Sequence, residues 1–173
     1  TIDEAWPGDV IGLVNASGLR VGDTLYEDPE VSFPPIPAFP PELIATAHPR
    51  DLSRFKQFKR GLGQLEQEGV VQVLRRSGDD PTPVLAAVGA MQFDVFNHRM
   101  EHEFGCAVQL SGPHERTVRR TDAATAAELL PLSGVEVLER ADGALLAVFQ
   151  SPYWLARLAA DHPDWTLEQI VTT

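Results

Sequence analysis

The sequence predicts an α+β protein in which strands and helices alternate as β-α-β-β-α-β and then nearly repeat that order. Two segments with helical apolar periodicity, each flanked by short β-rich runs, predict this alternation. The chain has 173 residues, of which 43% are hydrophobic and 23% charged, as in an ordinary globular domain. Six of the fourteen prolines fall within residues 29–41 and separate the first part of the chain from the rest.

The first 37 residues are predicted to form a separate segment. Residues 7–15 and 24–26 have the composition of short strands, and a turn signal that contains glycine marks the start of each. Two strands alone cannot bury a face, so we expect them to be the C-terminal strands of a β-barrel whose other strands precede Thr1. The prolines that follow favour a stiff, extended linker. We therefore expect domains at residues 1–37 and 38–173.

The second domain is predicted to begin with a strand at residues 42–48 and a helix at residues 51–68. The helix is indicated by apolar residues that recur at spacings of three and four and form one stripe: Leu52, Phe55, Phe58, Leu62 and Leu65. Asp51 is the expected N-cap, and Gly69 is expected just after the helix end.

The elements that follow complete the first unit and begin a second. Strands at residues 70–74 and 84–88 precede a helix at residues 92–104, whose inward side chains would be Phe93, Phe96, Met100 and Phe104; a strand at 106–110 follows. This order is the split βαβ arrangement of ferredoxin-like folds. The remainder nearly repeats it, with a strand at 117–118, a helix at 122–130, a hairpin of 135–138 and 144–149, a helix beginning at Ser151, and a strand at 165–171. The sequence leaves open whether residues 111–173 form a second plait or extend the first sheet.

The charge distribution singles out one cluster of cations. The formal net charge is −11, yet five of the fourteen Lys and Arg residues lie within residues 50–60, against the single acid Asp51. On a helix, Lys56 and Arg60 would lie opposite the apolar stripe, and clustered cations favour contact with phosphate. The predicted contact residues are Arg50, Arg54, Lys56, Lys59, Arg60, Arg75 and Arg76. The alternative is a solvated helix face without a partner.

Catalytic motifs are weak in this chain. The Gly-x-x-x-x-Gly-Lys-Ser/Thr string of a phosphate-binding P-loop does not occur in the sequence. His98, Glu101 and His102 match the H-x-x-E-H pattern of zinc hydrolases, in which two imidazoles hold the metal and a glutamate acts as the base. The alternative is two solvated histidines. Cys106, the only cysteine, is expected to be a small buried hydrophobe.

Five stretches together resemble a known family. Residues 6–13 (WPGDVIGL) and 22–25 (GDTL) resemble the end of the second, barrel domain of translational GTPases. Residues 39–43 (FPPEL) resemble the entry to the third domain of such proteins. The most specific stretches are residues 60–73 (RGLGQLEQEGVVQV) and 88–95 (VGAMQFDV), which resemble the bacterial peptide chain release factor 3 family.

The resemblance implies a parent protein that is a GTPase and helps to release class I release factors from the ribosome after termination. Its GTP and Mg²⁺ would be held in a G domain absent from this chain, so the chain itself would be no enzyme and would hold no cofactor or metal. The implied partners are the small ribosomal subunit, class I release factors indirectly, and the G domain of the same protein, in the cytoplasm and without membrane contact. Two alternatives remain, a zinc-dependent hydrolase and a ferredoxin-like module that regulates through a small molecule.

Overall fold

Strands and helices alternate along the chain as the sequence predicts. The computed structural model describes residues 2, 4–16, 18–19, 21–34, 39–76, 78 and 80–170. In chain order the elements are β1 (Leu43–Pro49), α1 (Phe55–Gln67), β2 (Gln72–Arg76), β3 (Val84–Ala87), α2 (Ala90–His102), β4 (Val108–Glu115), β5 (Thr117–Thr121), α3 (Ala123–Leu129), β6 (Val135–Arg140), β7 (Leu145–Phe149) and α4 (Pro152–Asp161). A 3₁₀ turn, Leu52–Arg54, leads into α1.

The first half of the domain is a split βαβ unit. Its strands lie in the order β4-β1-β3-β2, and each neighbouring pair is antiparallel. α1 joins β1 to β2, and α2 joins β3 to β4, so each helix crosses over one intervening strand. The ferredoxin-like prediction for this half is confirmed.

The second half repeats the unit and also extends the same sheet. The sheet continues as β6-β7-β5, and α3 joins β5 to β6 with β7 between them. Arg120 and Glu168 exchange two backbone hydrogen bonds of 2.9 Å, which places residue 168 where a fourth strand would lie. The strand expected at residues 165–171 is therefore a single bridge here, and Val171 lies outside the described residues.

One strand pair joins the two halves. β2 and β6 pair antiparallel, with Leu74 opposite Arg140, Arg75 opposite Glu139 and Arg76 opposite Leu138. The strand order on one side of this pair mirrors the order on the other. The two units are thus related by an approximate two-fold axis that passes near Arg75 and Glu139.

The sheet curls so far that its two edges meet. β4 ends at Glu115 and β5 begins at Thr117, although these strands lie at opposite ends of the sheet order. A flat sheet of seven strands would hold its two edges six strand spacings apart, about 29 Å. The two residue steps from Glu115 to Thr117 span at most ~7 Å, so the sheet cannot be flat. Arg116 donates its backbone N–H to the Glu42 carbonyl oxygen at 2.8 Å, which fastens the junction beside β1.

Curling creates three apolar layers. The interior of the curled sheet is filled from both halves by Ile44, Leu74, Val84, Ala86, Val118, Leu138, Leu146 and Val148. The outer face of the first half packs under α1 and α2, around Phe58, Leu65, Phe96 and Met100. The outer face of the second half packs under α3 and α4, around Leu129, Phe149, Leu155 and Leu158. Alternate residues of each strand therefore serve different layers.

The predicted caps form as expected. Asp51 accepts a hydrogen bond from the Ser53 backbone N–H at 2.9 Å and begins the 3₁₀ turn. Ser151 caps α4 by accepting from the Trp154 backbone N–H at 3.2 Å, with Pro152 in the first helical position. Gly69 ends α1 with a φ of +73°, a conformation that glycine adopts without strain.

The strands expected before residue 43 are absent from the described part of that segment. There the backbone forms turns, such as the 3.0 Å bond from the Asp9 N–H to the Trp6 carbonyl oxygen. The physical reason is that two short strands cannot bury a face or pair all their backbone groups by themselves. The boundary expected near residues 37 and 38 lies outside the described residues.

The apolar stripe of α1 begins later than predicted. Leu52 is 80% exposed and Phe55 is 46% exposed, whereas Phe58 and Leu65 are buried. Leu52 lies in the 3₁₀ turn, whose rotation per residue differs from that of an α-helix, so the 3.6-residue pattern does not extend to it. β2 also begins two residues later than predicted, because residues 68–71 form the turn out of α1.

Candidate functional site

α1 separates an apolar side from a cationic side. Three of its residues are buried against the sheet and α2: Phe58, Gly61 and Leu65. At about 100° per residue the opposite side of the helix faces solvent, and Lys56, Lys59 and Arg60 are all exposed. No ion pair within the described part of the chain involves these three side chains. They are called the basic face below.

Arg50 and Arg54 lie at the start of α1, next to the only acid of this stretch. The Arg50 backbone N–H donates to the Ala107 carbonyl oxygen at 2.9 Å, and both arginine side chains are exposed. Hydrogen bonds from Ser53 hold the pKa of Asp51 below its usual value, and Arg54 contributes in the same direction. Asp51 is thus engaged in capping.

Helix stability does not account for the cations at this end of α1. The first turn of the helix contains no acidic residue, while Lys56 lies within it. Cations near a helix N-terminus interact unfavourably with the helix dipole, typically by about 0.3–1 kcal/mol. These cations therefore do not stabilise the start of α1 through the helix dipole.

Arg75 and Arg76 are neighbours in β2 but point to opposite faces of the sheet. The Arg76 Nε donates to Glu136 Oε1 at 2.5 Å, and its terminal nitrogens donate to Asp80 Oδ2 at 3.3 Å and Thr46 Oγ1 at 3.2 Å. Arg75 is exposed on the side of α1. Of the two predicted contact residues, Arg75 is the more available, since Arg76 is held by partners on β6, β1 and the loop after β2.

A groove of about 610 Å³ lies between α1 and the loop that joins β2 to β3. It is called the seam groove below, and its lining residues are Phe55, Phe58, Lys59, Leu62, Gly63, Glu66, Val73, Arg75, Arg76, Gly78, Asp80, Pro81, Thr82 and Pro83. The groove therefore has an apolar floor and cations on both walls. Three of the seven predicted contact residues, Lys59, Arg75 and Arg76, line it, although the Arg76 side chain is bonded to Glu136 and Thr46 on the other face of the sheet.

The other predicted contact residues lie around this groove and not in it. Lys56 and Arg60 belong to the basic face on the outer side of α1, and Arg50 and Arg54 precede the helix. Another depression, of about 660 Å³, is lined by Lys59 and Arg60 together with Leu19 and Val21 of the N-terminal segment.

One carboxylate of the seam groove has an unusual environment. Partial burial raises the pKa of Glu66, while the Arg75 guanidinium and a hydrogen bond from the Val73 backbone N–H act in the opposite direction. Burial disfavours the charged form of a carboxyl group. Sequence reasoning missed Glu66 and the loop wall at residues 80–83, because their positions depend on how β2 and β3 set that loop against α1.

The histidines of α2 do not form a metal site with other described residues. The His98 and His102 rings stack with centroids 4.1 Å apart, and His102 Nδ1 lies 2.8 Å from the His98 carbonyl oxygen. In the described residues, no group of three or more His, Cys, Asp or Glu side chains is placed to hold a metal ion. Cys106 is buried, and burial raises the pKa of its thiol.

Two split βαβ units in one curled antiparallel sheet, with cations gathered on and beside one helix, define a mixed α/β domain. No helix among the described residues is long and apolar enough to cross a membrane. The chain belongs to the family described as class II release factor RF3, C-terminal domain, whose sequence model matches residues 33–159.

Three relatives of this chain carry the same name. The chain is 34% identical over 171 residues to a protein of Synechocystis sp. named peptide chain release factor 3, covering 98% of this chain and 29% of that protein. A protein of the same name from Microcystis aeruginosa is 35% identical over 170 residues, with the same coverage of 98% and 29%. One from Symbiobacterium thermophilum is 43% identical over 110 residues, which cover 63% of this chain and 21% of that protein. The chain thus spans less than a third of the length of these relatives.

Proposed function

We propose that this chain is the ribosome-docking part of a translation-termination GTPase that promotes the release and recycling of class I release factors. Membership of the release factor 3 C-terminal domain family supports the proposal. The share of the relatives that lies outside the match leaves room for a separate G domain, which would hold GTP and Mg²⁺. The chain itself would contribute binding and mechanical coupling in the cytoplasm, and catalysis would lie elsewhere.

The same proposal assigns residues 1–37 to the end of a barrel domain and its linker, and residues 38–173 to the third domain. Large apolar side chains are exposed along the described part of the first segment, as expected for a segment that packs against other parts of a longer protein: Trp6, Val10, Leu13, Val14, Leu25 and Tyr26.

The observation that carries the docking proposal is the basic face of α1. Lys56, Lys59 and Arg60 are exposed on one side of a helix whose other side is buried in the core. Contacts between such cations and phosphates release counterions, so binding weakens as salt rises. For each phosphate contacted, a tenfold rise in salt concentration lowers the logarithm of the binding constant by roughly 0.9. The proposed partner is the RNA of the small ribosomal subunit.

Charge reversal tests this proposal. We would measure binding of the chain with Lys56→Glu and Arg60→Glu to purified bacterial small subunits over a salt series. The expected result is weaker binding, most of all at low salt, and a salt slope flatter by roughly 1–2. Arg157→Glu on α4, far along the chain from the basic face, is the control for a single charge reversal, to be compared with Lys56→Glu and Arg60→Glu made one at a time, and should bind as the parent chain does. Equal binding of the double variant at every salt concentration would remove the proposal.

A further inference from the structure

Phe55 has an exposed ring where the sequence pattern predicts a buried one. The side chain lies at the rim of the seam groove and is 46% exposed, whereas Phe58, one turn further, is 2% exposed. An aromatic side chain of this size gains most from full burial. A half-exposed ring at a groove between cations is therefore a candidate for contact with a ligand.

The ring has a defined position. Its centroid lies 6.3 Å from that of Phe58, with 29° between the two planes, and the Lys59 Nζ lies over it at 5.0 Å. Lys59 is exposed, and a lysine on a flexible stem can exchange this contact for a phosphate without disturbing the helix. The Phe58 ring thus lies on one side of Phe55, and the exposed Lys59 ammonium group covers another.

The surroundings favour an anionic partner with a flat aromatic surface. Five cations lie within residues 50–60, and Arg75 lines the facing wall of the groove. Of the nearby acids, Asp51 is engaged with Ser53, and Asp80 with Arg76 and the Thr82 backbone N–H. Glu66 also lines the groove and is partly buried. The balance of available charge is positive.

We propose that Phe55 stacks on an unpaired nucleobase of RNA, and that Lys59 contacts the adjoining phosphate. Single-stranded RNA exposes base faces that aromatic side chains recognise, whereas a duplex hides them. The groove is within the size range of small-ligand sites, and Gly63 and Gly78 in its lining add no side chain to obstruct a base. This inference rests on the proposed docking function and adds the residue and the kind of RNA structure that it recognises.

Four variants of the 173-residue chain test the stacking contact: Phe55→Ala, Phe55→Trp, Leu52→Ala and Lys59→Met. The probe is a fluorescein-labelled single-stranded oligouridine, compared with an RNA duplex of the same length by fluorescence anisotropy. Phe55→Ala should weaken binding of the single strand by about 5- to 150-fold with an unchanged salt slope. Phe55→Trp should retain binding, and Leu52→Ala, which removes an exposed apolar side chain from the same region, should have no effect. Lys59→Met should flatten the salt slope by about 0.7.

Duplex binding should be the same for Phe55→Ala and the parent chain, and circular dichroism melting of each variant shows whether it is folded. Equal loss of single-strand and duplex binding by folded Phe55→Ala, or no loss at all, would overturn the stacking proposal. If Phe55→Ala weakened binding to small subunits but not to the single-stranded oligouridine, the proposal would be overturned too, because the ring would then contact a protein. In each of these cases the charge-reversal result for Lys56 and Arg60 still decides the docking function separately.

Discussion

Gly61 of α1 lies directly against Met100 of α2. A Cβ atom at residue 61 would stand 2.5 Å from the Met100 Sδ and 2.9 Å from the Phe104 Cγ. Met100 is fully buried, so its side chain has little room to move away. The absence of a side chain at residue 61 therefore sets how closely the two outer helices of the first unit can approach.

Gly61→Ala should destabilise the domain by up to about 2 kcal/mol, because the overpacking cost of about 1–3 kcal/mol exceeds the helical gain of about 0.5–1 kcal/mol from replacing glycine. The measurement is urea unfolding followed by circular dichroism. Gly63→Ala is the matched control, since a Cβ at residue 63 would have no atom within 4 Å and the backbone is already helical. That variant should be more stable by about 0.5–1 kcal/mol. Stabilisation by both substitutions would contradict the close contact.

Arg76→Met should lower stability, whereas Arg75→Met should leave it nearly unchanged. Arg76 joins β1, β6 and the loop after β2 through Thr46, Glu136 and Asp80. Its acidic partners are partly exposed, so solvent screening limits the expected loss to about 1 kcal/mol. Thermal unfolding of the two variants measures the difference. If Arg75→Met proved the more damaging substitution, the assignment of Arg76 as the structural residue would be wrong.

The sequence predicts the local features of this fold well, because they depend on residues close together in the chain. The helix periods, the Asp51 and Ser151 caps and the β6–β7 hairpin are all confirmed. The curl of the sheet is not predictable in this way, since it depends on the pairing of β2 with β6 and on the single residue, Arg116, between β4 and β5.

The candidate site shows the same division between local and long-range features. The basic face follows from helical spacing and could be predicted as a surface. The seam groove could not, because Phe55 leaves the apolar stripe and Arg75 approaches α1 only when β2 takes its place in the sheet. Arg75 and Arg76 look equivalent in the sequence, and only the alternation of a strand gives them different surroundings.

The chain should neither bind nor hydrolyse GTP. Phosphate binding by a P-loop needs a run of backbone N–H groups and one lysine in a Gly-x-x-x-x-Gly-Lys-Ser/Thr string, which this sequence does not contain. Titration with a fluorescent GTP analogue and an assay of released phosphate would check this. Turnover that persists in a highly purified preparation, and that follows the chain through a second purification step, would contradict the prediction.

Glu66 in α1 and Glu68, the residue that caps the end of α1, should change stability with pH in opposite directions. Burial raises the pKa of Glu66, so the folded state holds this proton more tightly than the unfolded state, and stability falls as the pH rises above the ordinary value of 4.5. A hydrogen bond from Arg99 and a weaker influence from Gln64 lower the pKa of Glu68. The contribution of Glu68 to stability is therefore present above pH 4.5 and is lost as the pH falls below that value.

Glu66→Gln should therefore stabilise the domain at pH 7, because it removes a partly buried charge while its amide oxygen can still accept from Val73. Glu68→Gln, two residues away at the C-cap of the helix, should destabilise it at pH 7, because it weakens the pair with Arg99. The difference for Glu66→Gln should shrink as the pH falls towards 4.5, whereas the difference for Glu68→Gln should shrink as the pH falls below 4.5. Urea unfolding over a pH series measures this. Shifts of the same sign for both variants at neutral pH would show that burial does not dominate at Glu66.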